Sequence, residues 1–118
     1  MNVDYKNIDK SKVNIKNPTG MALLHFAAFY GHTDGIEILI RDKSSKMDMQ
    51  DNDGNTALHY AAVKGHIEAV KKLLACGADS ELTNNEGKTP FDYAIGSNSE
   101  IIRQTLTAAR ANTPRPKL

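Results

Sequence analysis

The chain has no tryptophan, a single cysteine (Cys76) and only 6% aromatic residues among its 118. It has no apolar run near the roughly 18 residues that a membrane span needs. It also lacks a charge of one sign: 15 Lys and Arg against 14 Asp and Glu leave a net charge of +1. Each absence excludes something. One cysteine cannot close an internal disulfide, which fits a reducing compartment. A near-neutral chain is a poor nucleic-acid binder, because phosphate contacts demand a basic excess. Met1 to Lys12 is polar and does not read as a signal peptide. The Asn17-Pro18-Thr19 triplet carries proline where glycosylation forbids it. The expected location is therefore cytoplasmic or nuclear, with no membrane and no nucleic acid as partner. A single spherical core would be thin with so few large rings. A stack of small repeats, each burying Ala and Leu against its neighbours, suits the composition better.

The repeats are present. Gly54-Asn55-Thr56-Ala57-Leu58-His59-Tyr60-Ala61-Ala62 is echoed upstream by Gly20-Met21-Ala22-Leu23-Leu24-His25-Phe26-Ala27-Ala28. Downstream the echo is Gly87-Lys88-Thr89-Pro90-Phe91-Asp92-Tyr93-Ala94-Ile95. The leading glycines stand 34 and 33 residues apart. Beyond the nonamers, Gly31-His32 matches Gly65-His66, and Ile36 to Ile40 matches Val70 to Leu74.

From Val13 to Leu106 this pattern resembles the ankyrin-repeat family, with its period of about 33 and its Thr-Pro-Leu-His-x-Ala signature. Repeat one lacks the Thr, repeat two has Ala57 for Pro, and repeat three has Asp92 for His. The resemblance implies an all-α solenoid of helix–turn–helix units with β-hairpin-like finger loops. The divisions are residues 17–50, 51–83 and 84–109, the last a C-terminal cap. Residues 1–16 read as an irregular N-terminal cap or the remnant of a preceding repeat, and 110–118 as a flexible basic tail. Small Ala27, Ala28, Ala61 and Ala62 let helices approach closely. Inner helices are expected over Ala22–Phe29, Thr56–Val63 and Thr89–Ile95. Outer helices are expected over Thr33–Arg41, Ile67–Ala75 and Asn98–Ala109. Pro90 fits a first helical turn, Gly77 a C-terminal cap, and Ser97 with Glu100 a capping box. Asp53-Gly54 and Glu86-Gly87 supply turn chemistry at the finger tips. Gly35 falls inside an outer helix at a cost near 1 kcal/mol, so repeat one is expected to be the softest.

Catalytic and metal chemistry find little support. In the family the His of Leu-His bonds neighbouring loop backbone, which implies a structural role for His25 and His59. Asp51-Asn52-Asp53-Gly54 resembles a calcium loop, but in that register Met49 and Tyr60 replace the required carboxylates. No nucleophile elbow or phosphate-binding loop is present, and Cys76 lies at an expected helix end next to Gly77, where the family commonly has a variable residue. No cofactor and no metal are expected, and the chain does not read as an enzyme.

The resemblance implies protein–protein recognition on a concave face of finger tips and inner helices, by a monomer. Carried over position by position, the partner-binding residues are Met21, Phe29 and Tyr30, with Pro18 and Thr19, from repeat one. Repeat two supplies Asn52, Asp53, Asn55, Val63 and Lys64, and repeat three Asn85, Glu86 and Lys88. Phe29 and Tyr30 are expected to form an exposed apolar patch. Asp51, Asp53 and Glu86 form an acidic row. An alternative comes from a softer resemblance to the ankyrin segment of acyl-CoA-binding proteins. It would make the chain the accessory domain of a lipid carrier.

Overall fold

The computed structural model describes residues 12–41, 46–96 and 98–112, with side chains as far as 109. Most of the expected N-terminal cap, the 42–45 loop, Ser97 of the expected capping box and the end of the tail lie outside these residues. Five helices are present: α1 (Leu23–Phe29), α2 (Thr33–Arg41), α3 (Ala57–Val63), α4 (Ile67–Ala75) and α5 (Ser99–Asn112). A short 3₁₀ turn, Pro90–Tyr93, stands between α4 and α5. Inner helices α1 and α3 and the 3₁₀ turn form one layer, and outer helices α2, α4 and α5 form the other. The chain is all-α, and no described residue lies in a strand.

The inner layer packs closely because its contact residues are alanines. Ala27, Ala28, Ala61 and Ala62 are all fully buried. The outer helices turn Ile36, Leu39, Val70, Leu73, Ile102 and Leu106 onto them, spaced three or four apart as a helical face requires. α1 ends in a Schellman motif, in which Gly31 N–H donates to Ala28 and His32 N–H to Ala27. α3 repeats it with Gly65 and His66, and Gly77 caps α4 as expected. Gly31 has no substitute. It sits at φ +69°, and a Cβ there would lie 2.8 Å from His66 Nδ1 of the next repeat.

Each finger is a turn organised by an Asn or Asp three residues before its glycine. Asn17, Asp51 and Asn84 each pair their backbone N–H with the carbonyl four residues on. Their side-chain oxygens also accept two backbone N–H groups, at 2.9–3.0 Å, from residues two and four ahead. The expected tip residues Asp53 and Glu86 do not do this work. Asp51 is instead buried, and it also accepts the Tyr60 hydroxyl. The acidic row expected at Asp51, Asp53 and Glu86 therefore loses its first member to the turn.

The largest departure is the third inner helix, expected over Thr89–Ile95 but only a 3₁₀ turn. Ile95 occupies the position of Ala28 and Ala62, which are both at 0% exposure. At those two places a branched side chain would overpack the joint. The backbone leaves the helical region at Ala94, with ψ 89°, and Ile95 points outward at 59% exposure. α2 forms straight through the buried Gly35.

Candidate functional site

The histidines sit at the joints between repeats. His25 Nδ1 accepts the Ala22 N–H at 3.0 Å, and its Nε2 donates to the Asn55 carbonyl at 3.0 Å. His59 repeats this with Thr56 N–H and the Lys88 carbonyl, at 3.1 and 2.9 Å. One nitrogen closes the local helix start, and the other reaches the next finger. Both rings are 1% exposed, and burial pushes both imidazoles below their ordinary value of 6.5. In repeat three Asp92 takes the place of His and accepts the Thr89 N–H and hydroxyl. The Thr89 backbone N–H holds its carboxyl below the usual carboxylate range. Asp reproduces the inward half of the His role but can donate nothing outward.

The finger-tip residues are divided between solvent and the stack. Asn52 N–H donates to the Thr19 carbonyl and its Nδ2 to Pro18 O, at 3.0 and 2.9 Å. Asn85 repeats both bonds one repeat on, to Asp53 O and Asn52 O. These two candidates are exposed, yet their donors form rungs between fingers. Pro18, Thr19, Asp53, Glu86 and Lys88 are also exposed. Met21 and Asn55 are half-buried, and the Asn55 side-chain oxygen accepts from Asn84 Nδ2 at 2.8 Å.

The aromatic candidates behave differently from one another. Tyr30 is 45% exposed, stacked on His32 with ring centroids 5.8 Å apart. Phe29 is half-buried rather than exposed. Its ring meets Tyr30 edge-on at 4.9 Å and Tyr60 of the next repeat at 5.9 Å. The Lys64 ammonium sits 4.4 Å from its centroid, a cation–π contact. Phe29, Tyr30 and Lys64 thus form one cluster across two repeats. Val63, the counterpart of Phe29, instead lines a small hollow with Asn55, His59, Tyr60 and Tyr93.

Tyr60 and Tyr93 were not among the candidates, although the residue after Leu-His or Phe-Asp is aromatic in all three nonamers: Phe26, Tyr60, Tyr93. Both hydroxyls are tied to the base of their finger, Tyr60 donating to Asp51 and Tyr93 accepting from Asn84 Nδ2 at 2.8 Å. Burial, reinforced by the bond to Asp51, pushes the Tyr60 phenol up to about 12. Both rings line the hollow beside Val63.

Among the described residues, no three His, Cys, Asp or Glu side chains converge as metal ligands would. Nor is any helix there long and apolar enough to cross a membrane. No curated protein matches the chain. A family model described as ankyrin repeats (3 copies) matches residues 5–84 and, in an overlapping second alignment, 24–114. Ankyrin repeats generally mediate protein–protein interaction and are typically not enzymes. With almost its whole length matched, and with the repeat joints described above, this chain belongs to the ankyrin-repeat family.

Proposed function

We propose that the chain is a non-catalytic module that binds a partner protein on its inner-helix face, centred on Tyr30, Phe29 and Tyr60. The observation that supports this reading most is the run of edge-packed rings at 4.9 and 5.9 Å, ending in a Tyr30 that is 45% exposed. Rings already held by one another lose little entropy when a partner covers them. Tyrosine also brings a large apolar area with a polar tip, which is why it dominates interface hot spots. Exposed Asp53 and Glu86 at the finger tips favour basic groups of the partner on the finger side. The lipid-carrier alternative gains nothing from the family match, which is to ankyrin repeats alone.

The test is capture of a partner from cell lysate by the wild type and by Tyr30→Ala, with circular dichroism as the folding control. Tyr30 is chosen because it is exposed, whereas removing Phe29 also removes packing between repeats. A hot-spot tyrosine is worth about 2 kcal/mol or more, roughly thirtyfold in Kd. The folded variant should therefore lose the partner. A partner retained at full affinity would move the binding site off this face.

A further inference from the structure

The hollow beside Val63 has a template inside the same molecule. At the joint of repeats one and two, the ring of Phe29 lies against Tyr60, the wall supplied by the next repeat. At the joint of repeats two and three, the corresponding wall is Tyr93, and the corresponding residue is Val63. Valine leaves the ring's place empty. The hollow left measures about 150 Å³ and is walled by Tyr60, Tyr93, His59, Val63 and Asn55. That is room for one large side chain. Its walls are mostly apolar, with Asn55 next to the finger.

The charges around the hollow are not symmetric. On the side away from the fingers stands Lys64, exposed and in no salt bridge among the described residues. On the finger side stand the exposed carboxylates Asp53 and Glu86, together with Lys88. A carboxylate on the occupant would be attracted at the Lys64 end and opposed at the finger tips. Lys64 directly follows Val63 at the end of α3; its ammonium lies 4.4 Å from the Phe29 ring centre and would exchange that contact for the occupant's carboxylate.

We propose that the hollow is the anchor site for a peptide segment of the partner. The segment inserts one aromatic or large aliphatic side chain between Tyr60 and Tyr93 and carries an acidic residue beside it, facing Lys64. This rests on the inner-helix face being the binding surface, and it adds the register and the chemistry of the occupant.

The test is selection of a random peptide display library on the whole chain, followed by measurement of selected peptides by fluorescence anisotropy. Wild type, Val63→Phe and Lys64→Glu are compared. Val63→Phe fills the hollow from within, as Phe29 does one repeat earlier. The expected peptides share a large apolar residue with a neighbouring Asp or Glu. They should lose at least tenfold in affinity on Val63→Phe, and lose their acidic preference on Lys64→Glu, an exposed change that gives up the cation–π contact with Phe29, with circular dichroism as the folding control. If Val63→Phe does not fold, the Lys64→Glu reversal and shifts of the Val63 methyl signals on peptide addition decide the matter. Peptides that bind Val63→Phe as well as wild type overturn the hollow. Should those same peptides lose affinity on Tyr30→Ala, the inner-helix face survives as the binding surface. Peptides indifferent to both changes overturn both readings. Selection of basic peptides, or of none, overturns the proposed occupant.

Discussion

A single imidazole position explains much of how this chain holds together. His25 and His59 each accept a backbone N–H at Nδ1 and donate from Nε2 to a carbonyl about 30 residues away in sequence. Only the neutral ring can do both. Protonation would turn Nδ1 into a donor facing another donor, in a site 1% exposed. Both folded pKa values therefore lie below 6.5. Above about pH 7 neither state is charged, and these groups leave stability unchanged. As pH falls through 6.5, the unfolded chain takes up protons that the folded chain refuses, and stability drops. The loss approaches about 1.4 kcal/mol per pH unit for each ring while the pH lies between the two values. Urea midpoints should be level from pH 8 to 7 and fall steadily toward about pH 5.5. A midpoint that held constant over that lower range would contradict the assignment. The role of these histidines was legible through the resemblance to the ankyrin-repeat family, whose Leu-His histidine bonds neighbouring loop backbone. The replacement by Asp92 was visible too, but its meaning was not. That Asp keeps one half of the role and drops the other depends on which bonds reach across to the next finger.

At the scale of the element, the instructive case is the inner helix that did not form. Thr89-Pro90 begins like its two predecessors, and Pro90 is buried in the first turn as expected. What stops the helix is a neighbour's shape. The places filled by Ala28 and Ala62 are fully buried, so a larger, branched side chain there is expected to overpack. Ala62→Ile should accordingly cost about 1–3 kcal/mol by overpacking. Ile95→Ala should change stability by no more than about 0.5 kcal/mol, since the side chain already faces solvent. Chemical denaturation of both variants checks the pair, and equal costs would refute the steric account. Gly35 offers the opposite test. Its counterpart Ala69 is 1% exposed within α4, so the same place in repeat two accepts a methyl. Gly35→Ala is expected to stabilise the chain by up to about 1 kcal/mol. Hydrogen exchange should slow first in α2. A loss of stability would mean that repeat one packs this position more tightly than repeat two.

The whole molecule is a line of nearest-neighbour contacts. α1 meets α3, α3 meets the 3₁₀ turn, and the outer helices pair α2 with α4 and α4 with α5. Repeat two is the bridge, and the fingers add the Asn52 and Asn85 rungs on each side of it. In such a stack the effect of a lesion depends on where it falls. Leu58 is fully buried in the bridge. Leu58→Ala should cost about 2–5 kcal/mol and lower protection in all three repeats together. Leu106, 3% exposed in α5, lies at the end of the described stack. Leu106→Ala should loosen α5 while repeats one and two keep their protection. Native-state hydrogen exchange distinguishes the two patterns, and uniform loss in both variants would show a stack too cooperative to fray.

The sequence by itself determined the repeat period, the all-α class, the positions of both outer helices in repeats one and two and the Gly77 cap, while the histidine joints came through the family resemblance. These are local features. Each follows from the spacing of apolar residues, from backbone conformations that glycine permits, or from a polar group next to a helix start. The tertiary structure alone decided three other matters. Phe29 is half-covered by Tyr60 and Lys64, Ile95 is expelled from a slot shaped by alanines, and Val63 opens a hollow between two tyrosines. Each depends on the volume left between side chains about 30 residues apart. Repeat alignment shows which positions correspond but not how much space their neighbours leave, and that space is set only when the repeats are stacked.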